Sequence, residues 1–196
     1  MFRILPIKAN PLKSDSIKRK SISIETERLI LREFSKNDVD ALFKMDSNPI
    51  VHEFLGNNPV KKKSESEKYI EDCINKYKDH GVCRLAVIEK ESGAFIGWSG
   101  LRFINDYSFN DKTNFYDVGY RLMPEYWNKG YATEAGKASI DFGFDTLNLD
   151  TIYGITELGN IASHKALLKI GLNYIENFKH NDGSILNWYN IKNQKL

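Results

Sequence analysis

Residues 115–156 constrain the fold more than any other stretch of this chain. Phe115–Met123 reads as a strand stopped by Pro124, residues 130–147 as a helix, and Thr151–Thr156 as another strand. Strand, helix and strand in that order make a crossover, which returns the chain to the same sheet. The helix reading rests on period. Ala132, Ala135, Ser139 and Phe142 recur at helical spacing, as do Ile140, Phe144 and Leu147. Gly119 sits inside the first strand, where glycine marks a bulge or a close backbone approach. The turn that follows has small or flexible residues at Asn128, Gly130 and Ala132, flanked by Lys129. Free backbone N–H groups at the positive end of a helix dipole form an anion site suited to phosphate oxygens.

The rest of the chain arranges itself around that crossover. Residues 1–23 read as an extension, and residues 24–196 as one domain. Leu29–Arg32 is strand-like. A helix is expected from about Lys36, capped by Ser35 or Asn37, with Val39, Leu42, Phe43 and Met45 facing the core. Asn48-Pro49 breaks it. Ser64-x-x-Glu67 reads as a capping box opening a helix with Tyr69, Ile70, Cys73, Ile74 and Tyr77 on its apolar face. Cys83–Ile88 and Phe95–Phe103 form a hairpin. Asn160–Ile170 reads as a short helix closed by Gly171, and Leu172–Phe178 with Ile185–Ile191 as a last hairpin. The expectation is an α+β fold: a mixed, mostly antiparallel sheet of about seven strands flanked by helices. The exposed final strand is available to pair with a second copy as a homodimer.

Composition excludes several classes. The chain has 196 residues, 41% hydrophobic and 28% charged, a profile incompatible with wholesale disorder. No run approaches 18 apolar residues, so no membrane span is expected. The net charge of +2 is uneven. Residues 1–20 hold six basic groups against one acid, leaving 22 basic against 25 acidic groups beyond them. A nucleic-acid binder carries its excess on the folded body, so no nucleic-acid partner is expected. The basic extension lacks an apolar core of signal-peptide type, which points to the cytoplasm. Cys73 and Cys83 lack a Cys-x-x-Cys spacing and read as reduced thiols. His80, His164 and His180 have no metal-ligand spacing, and no metal is expected. Walker and Gly-x-Gly-x-x-Gly phosphate loops are both absent.

Gly119-Tyr120-Arg121-Leu122, followed by Tyr126 through Ala135, resembles the acetyl-CoA-binding motif of GNAT acetyltransferases, in particular their RimJ/RimL-like branch. Thr26–Arg32, Ile96–Leu101 and Asn160–Leu172 resemble that branch's opening strand, third strand and second conserved block. The resemblance spans residues 24 to 191. It implies a sheet splayed between its fourth and fifth strands, the fourth being bulged. It implies a coenzyme A pyrophosphate on the amides of Asn128, Lys129, Gly130, Tyr131, Ala132 and Thr133. It implies a pantetheine arm along Tyr120, Leu122 and Met123, with Asn160 on its amide and the Leu122 N–H as oxyanion donor.

Ser163 matches the family's Asn-x-x-Ser pattern and is the candidate acid for the departing thiolate, since Leu167 stands where many members carry a tyrosine. Asp117 matches the position of a glutamate base. His52, Glu53 and Trp98 are candidates for the acceptor side, with Glu157 beside them. One departure is Trp127, where many members begin the loop with Gln or Arg. The loop then depends on backbone amides, Lys129 and the dipole. The implied function is an acetyl-CoA-dependent N-acetyltransferase that moves acetyl directly to a primary amine, first of all a protein N-terminal α-amine. A polyamine or aminoglycoside acceptor, and a coenzyme A-sensing module without turnover, stand as alternatives.

Overall fold

The computed structural model describes residues 20–195, and the extension up to Arg19 lies outside the described residues. Among the described residues eight strands make one sheet: β1 (Ser23–Glu25), β2 (Leu29–Arg32), β3 (Leu85–Glu89), β4 (Phe95–Ile104), β5 (Phe115–Leu122), β6 (Thr151–Glu157), β7 (Asn173–Lys179) and β8 (Ile185–Lys192). Their order is β1-β2-β3-β4-β5-β6-β8-β7. Neighbours are antiparallel except β5 and β6, which run parallel. The expected α+β sheet is present, with one strand more than the seven expected. The extra strand, β1, has three residues, too few to show a hydrophobic alternation. Ile22, just before it, is buried in the core.

Four α-helices of the described residues flank the sheet: α1 (Val39–Asp46), α2 (Lys63–His80), α3 (Tyr131–Asp145) and α4 (Ile161–Lys169). The approach to α1 is a 3-10 turn over Lys36–Asp38. There the Asp38 carboxylate accepts from the Ser35 backbone N–H and is gripped by both Arg32 terminal nitrogens. The capping box of α2 is not the one expected at Ser64 and Glu67. Lys62 is the cap, and Glu65 Oε1 accepts the backbone N–H groups of Lys61 and Lys62. Glu65 is the first carboxylate within reach of those amides, so the helix starts before Ser64.

Alternation along β4 separates two layers. Ser99 faces α3, with its Oγ 3.4 Å from Ser139 Oγ. A methyl at Gly143 of α3 would meet Leu101 at 2.6 Å. Trp98 faces the opposite layer, where Asp46 of α1 bonds Arg121 of β5 at 2.8 Å. One core cluster joins α1 and α2 to β2 and β3 through Leu31, Leu42, Ile70 and Val87. A second joins α3 and α4 to β5 and β6 through Val118, Ile140, Ile152 and Leu167.

The strand β5 is the element that matters most for the site. Its register with β4 runs unbroken from Gly97↔Leu122 to Ile104↔Phe115. No bulge occurs at Gly119 in that ladder, contrary to expectation; register shifts fall at Val87/Ile88 and Tyr174/Glu176. Close approach is the reason for the glycine. A Cβ at Gly119 would lie 2.7 Å from the guanidinium of Arg84. On its other edge β5 pairs with β6 only at Tyr116↔Ile152 and Asp117↔Tyr153. Beyond Asp117 the two strands part, as the expected splay required. The final strand, β8, is not an edge: it lies between β6 and β7, and β7 is the edge.

Gly97 lets β4 carry β5 at this point. A Cβ there would collide with the Arg121 carbonyl oxygen, and φ is +149°. Gly97→Ala is expected to lose roughly 3 kcal/mol, the top of the overpacking range, measured by urea denaturation.

Candidate active site

The turn into α3 is built from left-handed backbone. Asn128 has φ +59° and Gly130, the cap, φ +82°. The first intrahelical bond is Glu134 N–H to Gly130 carbonyl at 3.0 Å. The N–H groups of Asn128, Lys129, Gly130, Tyr131, Ala132 and Thr133 therefore donate to no acceptor among the described residues. Six amides and a helix dipole are what a diphosphate requires. The donors fit that group.

Glu134 locks the turn in place. Its Oε1 accepts from Thr26 Oγ1 at 2.6 Å and from Arg28 N–H at 2.8 Å, and its Oε2 from Arg28 Nε at 2.7 Å. Burial works to raise the Glu134 pKa, but these bonds from Thr26 and Arg28 hold it below the ordinary value. Arg28 also donates to the Lys129 carbonyl at 3.0 Å and covers the Tyr131 ring. The turn is thus pinned to the start of β2 by side chains that leave its amides unused.

Strand parity decides which β5 groups face the gap beside β6. Met123 N–H donates to the Ile96 carbonyl at 2.9 Å, so Met123 points at β4. This corrects the expectation that Met123 would hold pantetheine. In an antiparallel ladder alternate residues bond the neighbour, so Tyr120 and Leu122 aim their backbone groups the other way, into the gap. Trp127 Nε1 donates to the Leu122 carbonyl at 2.7 Å. That leaves the Leu122 N–H as the gap-facing donor, and gives Trp127 a structural role in place of the usual Gln or Arg.

Across the gap, Asn160 caps α4: its Oδ1 accepts the Ser163 N–H at 3.0 Å. The amide Nδ2 is left to donate. Ser163 has a partner that sequence reasoning missed. Tyr120 Oη donates to the Ser163 carbonyl at 3.0 Å and lies 3.2 Å from Ser163 Oγ. Burial pushes the Tyr120 phenol up, out of reach of ionisation near neutral pH.

The other face of β5 holds the acceptor-side candidates. Asp117 is buried, with Oδ2 2.6 Å from Arg84 Nη2; Arg84 Nη1 donates to the Asp117 carbonyl at 2.9 Å and to the Gly100 carbonyl. One Asp117 oxygen is taken up by the buried Arg84 guanidinium, so the geometry disfavours Asp117 as the general base. Trp98 lies between Arg84 and Arg121, whose guanidinium carbons stand 5.4 and 5.1 Å from its ring. His52 is 5% exposed. Burial, with the nearby Arg121 charge, lowers its pKa and keeps the imidazole neutral. Glu53 is exposed and outside this group. Glu157, at the end of β6, accepts the Gly56 N–H at 3.1 Å and ties the loop after α1 to the mouth of the gap. Among the described residues no cluster of His, Cys, Asp and Glu is arranged to hold a metal, and no helix is long and apolar enough to cross a membrane.

Comparison with known proteins identifies a family. Residues 28–173 match the family described as acetyltransferase (GNAT) domain. The chain is 33% identical over 146 residues to an uncharacterized N-acetyltransferase, p20, of Bacillus licheniformis, covering 74% of this chain and 79% of that one. Among solved structures, a ribosomal-protein-S5-alanine acetyltransferase of Vibrio fischeri superposes with a TM-score of 0.71 at 19% identity, covering 88% of this chain and 97% of the other. A spermidine N-acetyltransferase of Vibrio cholerae, solved with CoA and spermine, superposes with a TM-score of 0.70 at 19% identity, covering 87% and 98%. At these identities the two structures establish the likeness of fold.

His52 makes stability depend on pH in a defined direction. Its folded-state pKa lies below the ~6.5 of a free imidazole. The unfolded chain therefore takes up the proton first, and stability is lost as pH falls below about 6.5. The Tm is expected to fall between about pH 7 and 5, and His52→Gln is expected to flatten that fall. An equal fall in both proteins would remove His52 as its source.

Proposed function

We infer, for a chain that belongs to the GNAT acetyltransferase family, that this N-acetyltransferase transfers acetyl directly from acetyl-CoA to the α-amine of a polypeptide N-terminus. The family's co-substrate is acetyl-CoA, and the six unused amides over residues 128–133 support a pyrophosphate site there. In this reading the pantetheine arm runs along the gap-facing edge of β5, bonded by Tyr120 and Leu122 and by the Asn160 side-chain amide. The Leu122 N–H polarises the thioester carbonyl, a role worth about 2.7–4 kcal/mol for one such donor. Ser163, oriented by Tyr120, protonates the departing thiolate. His52, neutral by burial, takes the proton of the amine. An α-amine, with a pKa of about 7.7–8, needs less help than a lysine near 10.4.

The observation that favours a polypeptide over a polyamine is the state of the acceptor-side carboxylates. A polycation needs unpaired acids. Asp46 is bonded to Arg121 and Asp117 to Arg84, both at hydrogen-bond distance. The loops at the mouth instead carry exposed apolar side chains, Ile50 and Leu55 after α1 and Leu158 and Ile161 before and within α4. Such a rim suits a peptide backbone with side chains. The two solved neighbours act on a ribosomal protein and on spermidine, so the shared fold does not choose between them.

An acceptor panel tests this, scored by thiol release. A peptide with a free N-terminus is expected to be acetylated, and the same peptide N-blocked but carrying lysine is not. Turnover of spermidine or an aminoglycoside with no peptide accepted would overturn the acceptor. Tight coenzyme A binding with no amine accepted would make the chain a sensing module. Gly130→Trp is expected to abolish coenzyme A binding by filling the turn. Ser163→Ala is expected to lower kcat ~100-fold, the low end for acid–base catalysis, with coenzyme A affinity little changed.

A further inference from the structure

Two thiols unused by acetyl transfer meet in the layer beneath the acceptor face. The chain has two cysteines in all. Cys73 lies on the buried face of α2 and Cys83 just ahead of β3; each is 2% exposed. Their Sγ atoms lie 2.9 Å apart and share a hydrogen bond. The spacing of ten residues carries no redox signature, because the chain reverses through Gly81 to bring them together. The next residue after Cys83 is Arg84, which clamps Asp117 and underlies Gly119.

We propose that Cys73 and Cys83 form a reversible dithiol–disulfide site, oxidised by peroxide and coupled through Arg84 to β5. The sulfur atoms face each other with no group between them, and a bonded pair needs about 2.05 Å, so closure by about 0.9 Å joins them. The hydrogen bond shared with Cys73 and the positive charge of the adjacent Arg84 lower the Cys83 pKa, while burial works against them. The same hydrogen bond, with burial, raises Cys73. Cys83 is therefore the attacking thiolate. It displaces hydroxide from hydrogen peroxide, its own proton leaving with that hydroxide as water, and becomes a sulfenic acid. The Cys73 sulfur then attacks the Cys83 sulfur and the S–OH bond breaks. The hydroxide leaves with the Cys73 proton as a second water. Two thiols lose two electrons and one peroxide gains them. The new bond ties α2 to the start of β3 and shifts the backbone that carries Arg84.

Full-length protein treated with hydrogen peroxide, quenched and denatured, provides the test by thiol titration and intact mass. The expected result is loss of both titratable thiols with a monomer mass lower by about 2 Da, each reversed by dithiothreitol. Cys73→Ser, or Cys73→Ala if the serine variant folds poorly, is expected to stop at a Cys83 sulfenic acid trapped by dimedone. Two thiols still titratable at peroxide levels that oxidise glutathione, a mass gain from added oxygen without the loss, or a disulfide-linked dimer would each overturn the site. The coupling to β5 has its own readout and rests on the acetyl-transfer reading. The oxidised protein is expected to lose turnover several-fold with coenzyme A affinity unchanged, since Arg84 lies on the face away from the pyrophosphate turn. A disulfide that forms with turnover unchanged would overturn the coupling alone.

Discussion

A guanidinium laid across a glycine sets the geometry of this molecule. Arg84 holds the Asp117 side chain and carbonyl together with the Gly100 carbonyl, and its planar head occupies the space a side chain at position 119 would need. Asp117 is also the last residue of β5 paired with β6. The strand is therefore anchored where its neighbour leaves it. Beyond that point β5 has a strand partner on its β4 edge, where Gly97 admits it closely. A buried ion pair of this kind adds little net stability, but losing one partner strands a charge and costs about 3–5 kcal/mol. Its value lies in fixing one register and one point of parting.

That parting makes the sheet a partition with a single opening. The α3 and α4 layer offers amides and a helix dipole; the α1 and α2 layer offers an imidazole and two arginine–aspartate pairs. In the proposed reaction a donor on one side and an acceptor on the other meet through the gap between β5 and β6. Holding both reactants in one geometry is worth more to a direct transfer than any single side chain. The groups aimed at the gap are mostly backbone, which explains why Trp127 can replace the usual polar residue. It supports the Leu122 carbonyl and leaves the N–H groups to act.

The sequence showed the crossover and the turn because each has a local cause, while the splay followed from the family resemblance. Asn128 and Gly130 are residues that tolerate left-handed backbone, and Pro124 stops a strand wherever it stands. What it hid depends on distant partners. Asp117 reads as a free carboxylate until Arg84, thirty-three positions away, is seen against it. Met123 reads as part of the binding edge, but alternation along the strand turns its amide toward Ile96. Tyr120 was read for its backbone, while its phenol crosses to Ser163 on another element. The β1 strand is too short for any periodicity, and two cysteines ten residues apart give no sign that a turn will join them.

The acceptor face departs from the rule that buried polar atoms are paired. Among the described residues, buried side-chain nitrogen or oxygen atoms lacking a protein partner occur on His52, Trp98, Asp117 and Arg121, and outside that group on Ser66 and Arg102. Each unmet group costs about 1–3 kcal/mol, so a face optimised for stability alone would not gather four such residues. Their chemistry is mixed. Trp98 Nε1 and Arg121 Nε are donors that suit a carbonyl oxygen, while a neutral His52 nitrogen is an acceptor that suits an amine. A peptide N-terminus presents an amine one carbon from a carbonyl, whereas a polyamine presents only donors. The free donors on this face would then stay unmet, and that difference weighs for the polypeptide.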